Sequence, residues 1–521
     1  MTERRRRTSP TSRRRLLGGY FPLAVGVAAV IAMITVVPSR IPDEIAGASG
    51  GSASEVPVGQ AASGWGSTVT PCADRELQVP DAGYSPPCFE FSGDNGGATS
   101  EGVTADTIKV SYRNTAEGNV LGLFAQLSGM PIEESTEDLA RTAEGLIDYF
   151  NQNYQLYGRR LELVGYQGRG QMLQELFGGG QEGAANDALQ ASDEIGAFAD
   201  VTALTQPYAD ALSRQGVVNF GAPYMSREWF EERRPYAWTP TPDCSAVAEN
   251  STEYANEKLL NRPAEFAGGD LQGQTRRIAV IAPNNLEYQQ CVSTGLQVIE
   301  DAGNRIELEL EYVLDFATVA SQAPSLLARL RDADITSVAC YCDPLMVLSL
   351  AGEATQQDYF PEWLIGGVGF LDLDIVGQFI ASSGEGQWEH AFGGSPSTPQ
   401  QPAGQSEAYR AYTSVRDDEP SLFVDVVYLQ LLPLVLGVQM AGPELTPENL
   451  ETGMFAFPER TGVAGTWDWG PGHYSPVRDI REIWWDPDAI SPFNGQPGSY
   501  VDNGQRYRTG EIPAGDPEVF Q

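Results

Sequence analysis

The nine residues VACYCDPLM, 338 to 346, set Cys340 and Cys342 one residue apart and follow them with Asp343 and Pro344. Two thiols at that spacing could hold a metal, run a redox cycle or close a disulfide. A structural zinc site wants four ligands, usually from two paired clusters, and the chain has no second cluster. Thioredoxin-like redox centres use Cys-x-x-Cys, a different spacing. The other chemistry-bearing types are as scarce. His390 and His473 are the two histidines, too far apart for a pair of ligands on one helical turn, and each sits in an aromatic-rich run without an adjacent nucleophile. Lys109 and Lys258 are the two lysines, and each precedes an aliphatic residue, so no phosphate-binding Gly-Lys-Ser/Thr loop exists. The Gly-x-Ser-x-Gly match at Gly47 to Gly51 falls in a Gly/Ser-rich stretch without the strand-to-helix pattern of a nucleophile elbow. The 70 carboxylates offer no spacing that singles out a catalytic pair. A non-enzyme is therefore expected, with a carboxylate-dependent hydrolase as the alternative.

The start of the chain decides what the cysteines mean. Seven arginines between Arg4 and Arg15 precede Leu16 to Val37, a run of 22 residues without a charge. At about 1.5 Å per residue this run crosses a hydrocarbon core of roughly 30 Å, and it exceeds the usual core of a cleaved signal. It is read as a transmembrane signal anchor, with residues 1–15 cytoplasmic by the positive-inside rule and the body outside. Cleavage after Ala46-Gly47-Ala48, which would release a secreted protein, is the alternative. Outside the reducing cytoplasm, six cysteines, Cys72, Cys88, Cys244, Cys291, Cys340 and Cys342, read as disulfides. Cys72 and Cys88 share a Pro/Gly-rich stretch and favour a local bridge. Cys340 and Cys342 can bridge each other or reach Cys244 or Cys291, with Cys340–Cys342 and Cys244–Cys291 preferred.

The net charge of −37 includes about +7 from residues 1–40, which leaves about −44 on the body. Such a surface repels phosphate backbones, so nucleic acid is not an expected partner. At 521 residues and 41% hydrophobic content, the chain exceeds one ordinary core. Residues 38–101 are rich in Gly, Ser, Pro and Ala and read as a spacer with a local disulfide. From Thr107 short aliphatic runs alternate with helical patterns: TIKVSY, RRLELVGY, IGAFA and VVNFGAP as strands, with TEDLARTAEGLIDYFNQNY and TQPYADALSRQG among the helices between them. The rhythm restarts with RRIAVIAP, NRIELELEYV, ITSVACYC and EWLIGG. Two βαβ series in tandem predict an α/β chain of two Rossmann-like lobes. Neither series carries Gly-x-Gly-x-x-Gly, so no dinucleotide cofactor is expected. The apolar run LFVDVVYLQLLPLVLGVQMAG is interrupted by Asp425, Gln430 and Pro433 and reads as a buried core helix. GTWDWGPGHYSPVRDIREIWW alternates like two antiparallel strands.

The series GVTADTIKV, LIDYFNQN with GRRLELV, TQPYADALSRQGVVNFGAP and GTWDWGPGHYSPVRDIREIWW resembles, in order and spacing, the type I periplasmic binding proteins of the branched-chain amino acid group. The resemblance spans about Gly102 to Pro487. It implies a non-enzymatic α/β fold in which two parallel-sheet lobes, joined by a multi-strand hinge, close on a small solute for an ABC permease. The expected division is 102–240 plus 394–460 for lobe 1, 241–393 plus 461–490 for lobe 2, and 491–521 as a C-terminal tail. It also implies a cleft. Thr202 and Ala203 match the loop that holds a solute carboxylate, Pro223 and Tyr224 the next contact loop, and Tyr288, Asp343, Phe370 and Asp372 the facing lobe. The acidic residue that holds an amino acid's ammonium in such proteins is missing from LIGGVGF, with Asp372 nearest and Asp343 a candidate substitute. Asp343 also suits the N-cap of the following helix, with Pro344 at its first position. Trp229, Tyr236 and Trp238 either wall the cleft or pack in the core. A membrane-anchored sensor or scaffold ectodomain is the alternative to a transporter component.

Overall fold

Each lobe is a parallel sheet whose strands are short because helices cover both faces, so every residue of a strand such as IAVIAP must be apolar or small. The computed structural model describes residues 68–115, 134–402 and 404–521. The expected cytoplasmic segment, the expected anchor Leu16–Val37 and the first part of the expected spacer lie outside these residues. Strands β1 (Val69–Pro71) and β2 (Phe89–Phe91) form a small antiparallel pair. The first lobe then runs β3 (Thr107–Asn114), β4 (Arg160–Gln167), β5 (Ala199–Ala203), β6 (Val218–Gly221) and β7 (Ala237–Trp238), all parallel, in the spatial order β4-β3-β5-β6-β7. The second lobe repeats that winding with β8 (Ile278–Pro283), β9 (Leu308–Tyr312), β10 (Ser337–Cys340), β11 (Glu362–Ile365) and β12 (Ala391–Ser395), in the order β9-β8-β10-β11-β12. Both lobes therefore reverse strand order between their first and third strands, where a crevice opens at the carboxyl ends.

Local chemistry explains the helices. Thr136–Asn153 begins at Ser135, which forms a capping box with Asp138, and buries Leu139, Ala143, Leu146, Ile147 and Phe150 along one stripe. Pro344–Gln356 begins at Asp343 with Pro344 at its first position. The helix Val424–Ala441 is long and apolar enough to cross a membrane by composition, yet 72% of it is buried, packed against Thr136–Asn153 and the first sheet. It is an interior helix.

Strands β13 (Arg460–Gly462) and β14 (Gly465–Trp467) form a hairpin; β15 (Asp479–Ile490) extends the second sheet antiparallel to β12, and β16 (Pro497–Arg508) pairs antiparallel with β15 at its edge. Three expectations change here. Residues 491–521 are no tail: β16 pairs along β15, and Ile512 and Val519 enter the core of the second lobe. Residues 68–101 are no spacer, because Val69, Tyr84 and Phe89 are buried in the core of the first lobe. Residues 461–477 pack Ala464, Trp467, Trp469, Tyr474 and Val477 into that same first core, not into the second lobe. Between β14 and β15 the alternating pattern yields bridges, at Trp467–Val477 and Gly470–His473, and β15 takes β16 as its hairpin partner.

The chain crosses between lobes three times, through 239–243, 396–402 and 468–478. These crossovers are irregular, not a ladder of strands. They are tied by the Thr239 N–H donating to the Tyr474 carbonyl (3.2 Å) and by Ser475 and Asp243. The pairings Cys72–Cys88, Cys244–Cys291 and Cys340–Cys342 are all formed, with Cα separations of 5.4, 5.7 and 5.0 Å. The second joins the helices Cys244–Tyr254 and Leu286–Asp301. With both sulfurs of the Cys-x-Cys step bonded to each other, no thiolate remains there for a metal.

Candidate functional site

At the carboxyl end of β3 the Arg113 guanidinium is buried, a costly position unless fully paired. It donates to both oxygens of Glu175 (3.0 and 2.9 Å) and to Asp187 (3.2 Å), and lies over the Tyr208 ring at 3.7 Å. Beside it, Asp200 is buried under four donors: Ser111 Oγ (2.6 Å), Tyr208 OH (2.9 Å), and the Thr202 hydroxyl and N–H (2.8 and 2.7 Å). Burial pushes the Asp200 pKa up, and those donors pull it back. The Thr202 hydroxyl also accepts the Arg113 N–H at 2.9 Å. Its bonds thus serve the lobe's own interior, against the expectation that it faces a solute. Thr205, at the start of the helix Gln206–Arg214, donates to Glu175. The anion received at this helix start is the chain's own.

Ala203 is buried, its carbonyl accepting the Ala222 N–H. Pro223 lies between Ala222 (φ 40°) and Tyr224 (φ 69°), two left-handed residues that hold the loop in a strained turn. In the facing lobe, Asp343 Oδ1 accepts the Leu345 and Met346 N–H groups (2.9 and 3.1 Å) and Oδ2 accepts the Tyr312 hydroxyl (2.7 Å). Burial raises its pKa; the Tyr312 bond and the cap bonds oppose that. Burial and the neighbouring Asp343 charge raise the Tyr288 phenol. Asp343 is thus a helix cap whose oxygens are engaged by the chain. Asp372 is buried and accepts the Ser395 hydroxyl at 2.7 Å, which turns it to the hinge end of β12. Its loop passes close under the cysteine step: a Cβ at Gly369 would stand 2.4 Å from the Cys342 carbonyl oxygen.

Contacts that join the lobes include the bidentate Arg227–Glu249 ion pair (3.1 and 3.0 Å), the Phe423 and Phe493 rings 5.5 Å apart, and three more. Tyr224 OH accepts the Phe370 N–H (3.1 Å), and their rings stand edge to face at 5.5 Å. Ser226 Oγ donates to Gln290 (3.1 Å). Phe177 meets Phe316 edge to face at 5.6 Å and packs on the core of the second lobe. Of the eight expected site residues, then, Tyr224 and Phe370 join across the lobes, and Tyr288 and Asp343 are neighbours within one lobe. Thr202, Ala203, Pro223 and Asp372 do not converge with them on a cavity described here. Trp229 and Trp238 are core residues, and Tyr236 packs on that core.

A cavity of about 230 Å3 lies on the hinge side of the Tyr224–Phe370 contact. Its walls come from both lobes and all three crossovers: Tyr428 and Asp425 from the first lobe, Leu373 and Phe493 from the second, and Thr241, Gln400 and Val477 from the connections. Trp467 forms part of one wall, stacked on Tyr84 at 4.0 Å.

Solved structures similar to the chain share its fold. The leucine-, isoleucine-, valine-, threonine- and alanine-binding protein of Brucella ovis, in a closed conformation, is 14% identical, covering 79% of this chain and 97% of that one at a TM-score of 0.54. A fatty acid ABC transporter substrate-binding protein from Thermomonospora curvata is 13% identical over 80% of this chain and 97% of its own, also at 0.54. The chain has the fold of the type I periplasmic binding proteins. A solute-binding protein of an ABC transporter from R. palustris, in complex with benzoate, matches at 11% identity over 79% of this chain and 98% of its own, at 0.51. No family model and no curated protein matches the sequence.

Within that periplasmic binding protein fold, the cavity residues Tyr84, Glu407, Asp425, Tyr428 and Trp467 were not singled out as site residues from sequence. The available signal was Asp425 and Gln430 in the first half of a largely apolar helix: polar groups placed there at a desolvation cost need a reason.

Proposed function

We propose that the protein is an extracytoplasmic solute-binding protein that captures a small solute between its lobes by hinge closure and delivers it to an ABC-type permease. The proposal includes tethering by the apolar segment 16–37 with the body on the outer face. The observation that carries it is the cavity walled by both lobes and by the three crossovers, because a guest there touches everything that must move on closing. Contacts made only when both lobes engage favour the closed state. Binding without turnover is part of the proposal, and because the lining holds two carboxylates, Glu407 and Asp425, recovery of the solute unchanged is the check on it. The solved neighbours act on ligands as different as branched-chain amino acids, fatty acids and benzoate, so the fold sets the capture mechanism and the lining sets the ligand.

The test is a melting screen of the full-length protein against amino acids, amides, short peptides, polyamines and apolar amines. A ligand present at 100 times its Kd stabilises by about 2.7 kcal/mol. A hit should also shrink the radius of gyration in small-angle scattering and be recovered chemically unchanged. A ligand that stabilises without compaction, or that is converted, refutes the proposal.

A further inference from the structure

The cavity's charge pattern is one-sided. Among the described residues its lining contains no Lys, Arg or His, and it contains two carboxylates, Glu407 and Asp425. Glu407 is committed to the chain, accepting the Tyr428 hydroxyl (2.7 Å) and the Gly83 N–H (3.0 Å). Asp425 receives Ser406 alone. Two guanidiniums bond to the backbone of lining residues without lining the cavity themselves: Arg481 donates to the Ser397 carbonyl and pairs with Asp502, and Arg506 donates to the Pro396 carbonyl and pairs with Asp479. They brace a crossover and are each matched by a carboxylate. The rest of the wall is uncharged: neutral polar groups such as Thr241, Gln400 and Gln430 on and beside the crossovers, and the rings of Tyr84, Phe423, Tyr428 and Trp467 on the side of the first lobe.

Two buried polar atoms at this cavity lack partners: the Trp467 Nε1, on a residue only 1% exposed, and the Gln400 Oε1. Buried polar atoms are ordinarily paired, so an orphan donor and an orphan acceptor in one cavity wall point to a guest that completes them. An empty cavity of about 150 Å3 already admits benzene. One of about 230 Å3 admits a ring with a short side chain.

Resting on the solute-binding reading above, we infer that the ligand is a small aromatic or cyclic amine, its apolar body among Tyr84, Tyr428 and Trp467 and its ammonium on Asp425. Carboxylate solutes are excluded, since an anion would face two carboxylates without a counter-charge, and the helix start beside Thr205 already holds Glu175. The acidic body adds long-range attraction for cations.

Titration calorimetry of the full-length protein tests this with two charge-matched series: tryptamine, tryptophol and indole-3-acetate, and 2-phenylethylamine, 2-phenylethanol and phenylacetate. Within at least one series the amine should bind tenfold or more tighter than the alcohol, and the acid should not bind. Asp425→Asn should weaken the amine at least tenfold and the alcohol less than twofold. Val426→Trp, at a half-exposed lining position, should abolish binding of both without lowering the melting temperature. An acid binding as tightly as its amine, or an amine unaffected by Asp425→Asn, overturns the inference while leaving hinge capture intact. So does a solute that compacts the protein equally well with Val426→Trp in place. Failure of every solute to compact the protein overturns the capture reading itself.

Discussion

Phe177 and Phe316 offer the cleanest handle on hinge closure, because they join the lobes away from the cavity. Phe177 follows a short first-lobe helix, Met172–Leu176, yet its ring rests on the core of the second lobe against Phe316. In an open form that contact would be lost. An edge-to-face pair is worth about 0.5–1.5 kcal/mol beyond its area. Partial burial of the Phe177 ring adds about half of the 1.5–3 kcal/mol for a fully buried phenylalanine. Phe177→Ala should therefore shift the open-to-closed ratio by about 1–3 kcal/mol, roughly fivefold to a hundredfold. The apparent affinity of any captured solute should fall with the closed fraction. Pulsed electron spin resonance between labels on Gln215 and Asp332, exposed positions one in each lobe, would read the distance distribution directly. The expected result is a longer-distance population in Phe177→Ala, with little further change on adding Phe316→Ala. If the distribution stays put while the melting temperature falls by the full amount, the pair is a fixed structural contact and the closure reasoning fails.

Three further outcomes are open to direct measurement. Arg276 and Glu362 are an almost fully buried pair (2.7 and 2.8 Å) that also takes the Phe266 N–H, so Glu362→Gln should cost about 3–5 kcal/mol in denaturant unfolding, by leaving a buried guanidinium without its counter-charge. A loss under 1 kcal/mol would contradict that. Asp343→Ala removes both a helix cap, worth about 0.5–2 kcal/mol, and the partner of the Tyr312 hydroxyl, worth about 1 kcal/mol; Asp343→Ser should recover the capping part. The His473 pKa is held at about 4 by partial burial, then by the Arg478 and Arg227 charges, and its Nδ1 accepts from Arg478. Its unfolded value is about 6.5, so between the two the unfolded chain binds more protons; stability is complete above about 6.5 and is lost as pH falls toward 4. The ring is only partly buried, which discounts the loss to about 1–2 kcal/mol, and His473→Gln should flatten that acid slope. An unchanged slope would assign it to other groups.

What the sequence disclosed follows from what is local. The opening stretch 338–346 resolved as strand, turn and capped helix because each step has a short-range cause: small and β-branched residues, then an aspartate whose side chain reaches its own next two N–H groups, then a proline in the helix's first turn. The twofold parallel winding was legible for the same reason. Segments whose partners are distant were not. Tyr84 reads as part of a Gly/Pro-rich spacer until Trp467, nearly 400 positions along, supplies the ring it stacks on. β16 is polar and glycine-interrupted, and the Asn494-Gly495 step between it and β15 was the turn signal that could have exposed the hairpin. The site shows the sharper version of this limit. A family pattern placed ligand contacts on strand ends, where geometry favours them, but it could not reveal that Glu175, Tyr312 and Asp200 would already satisfy Arg113, Asp343 and Thr202. Satisfaction of polar groups is a property of the assembled chain. It is also what distinguishes the two regions: at the strand ends the polar atoms of Thr202 and Asp343 are engaged by the chain, whereas the cavity wall holds Trp467 and Gln400 atoms that none of the described residues completes. The proposal of recognition at the hinge rests on this difference: desolvated groups there still have bonds to make.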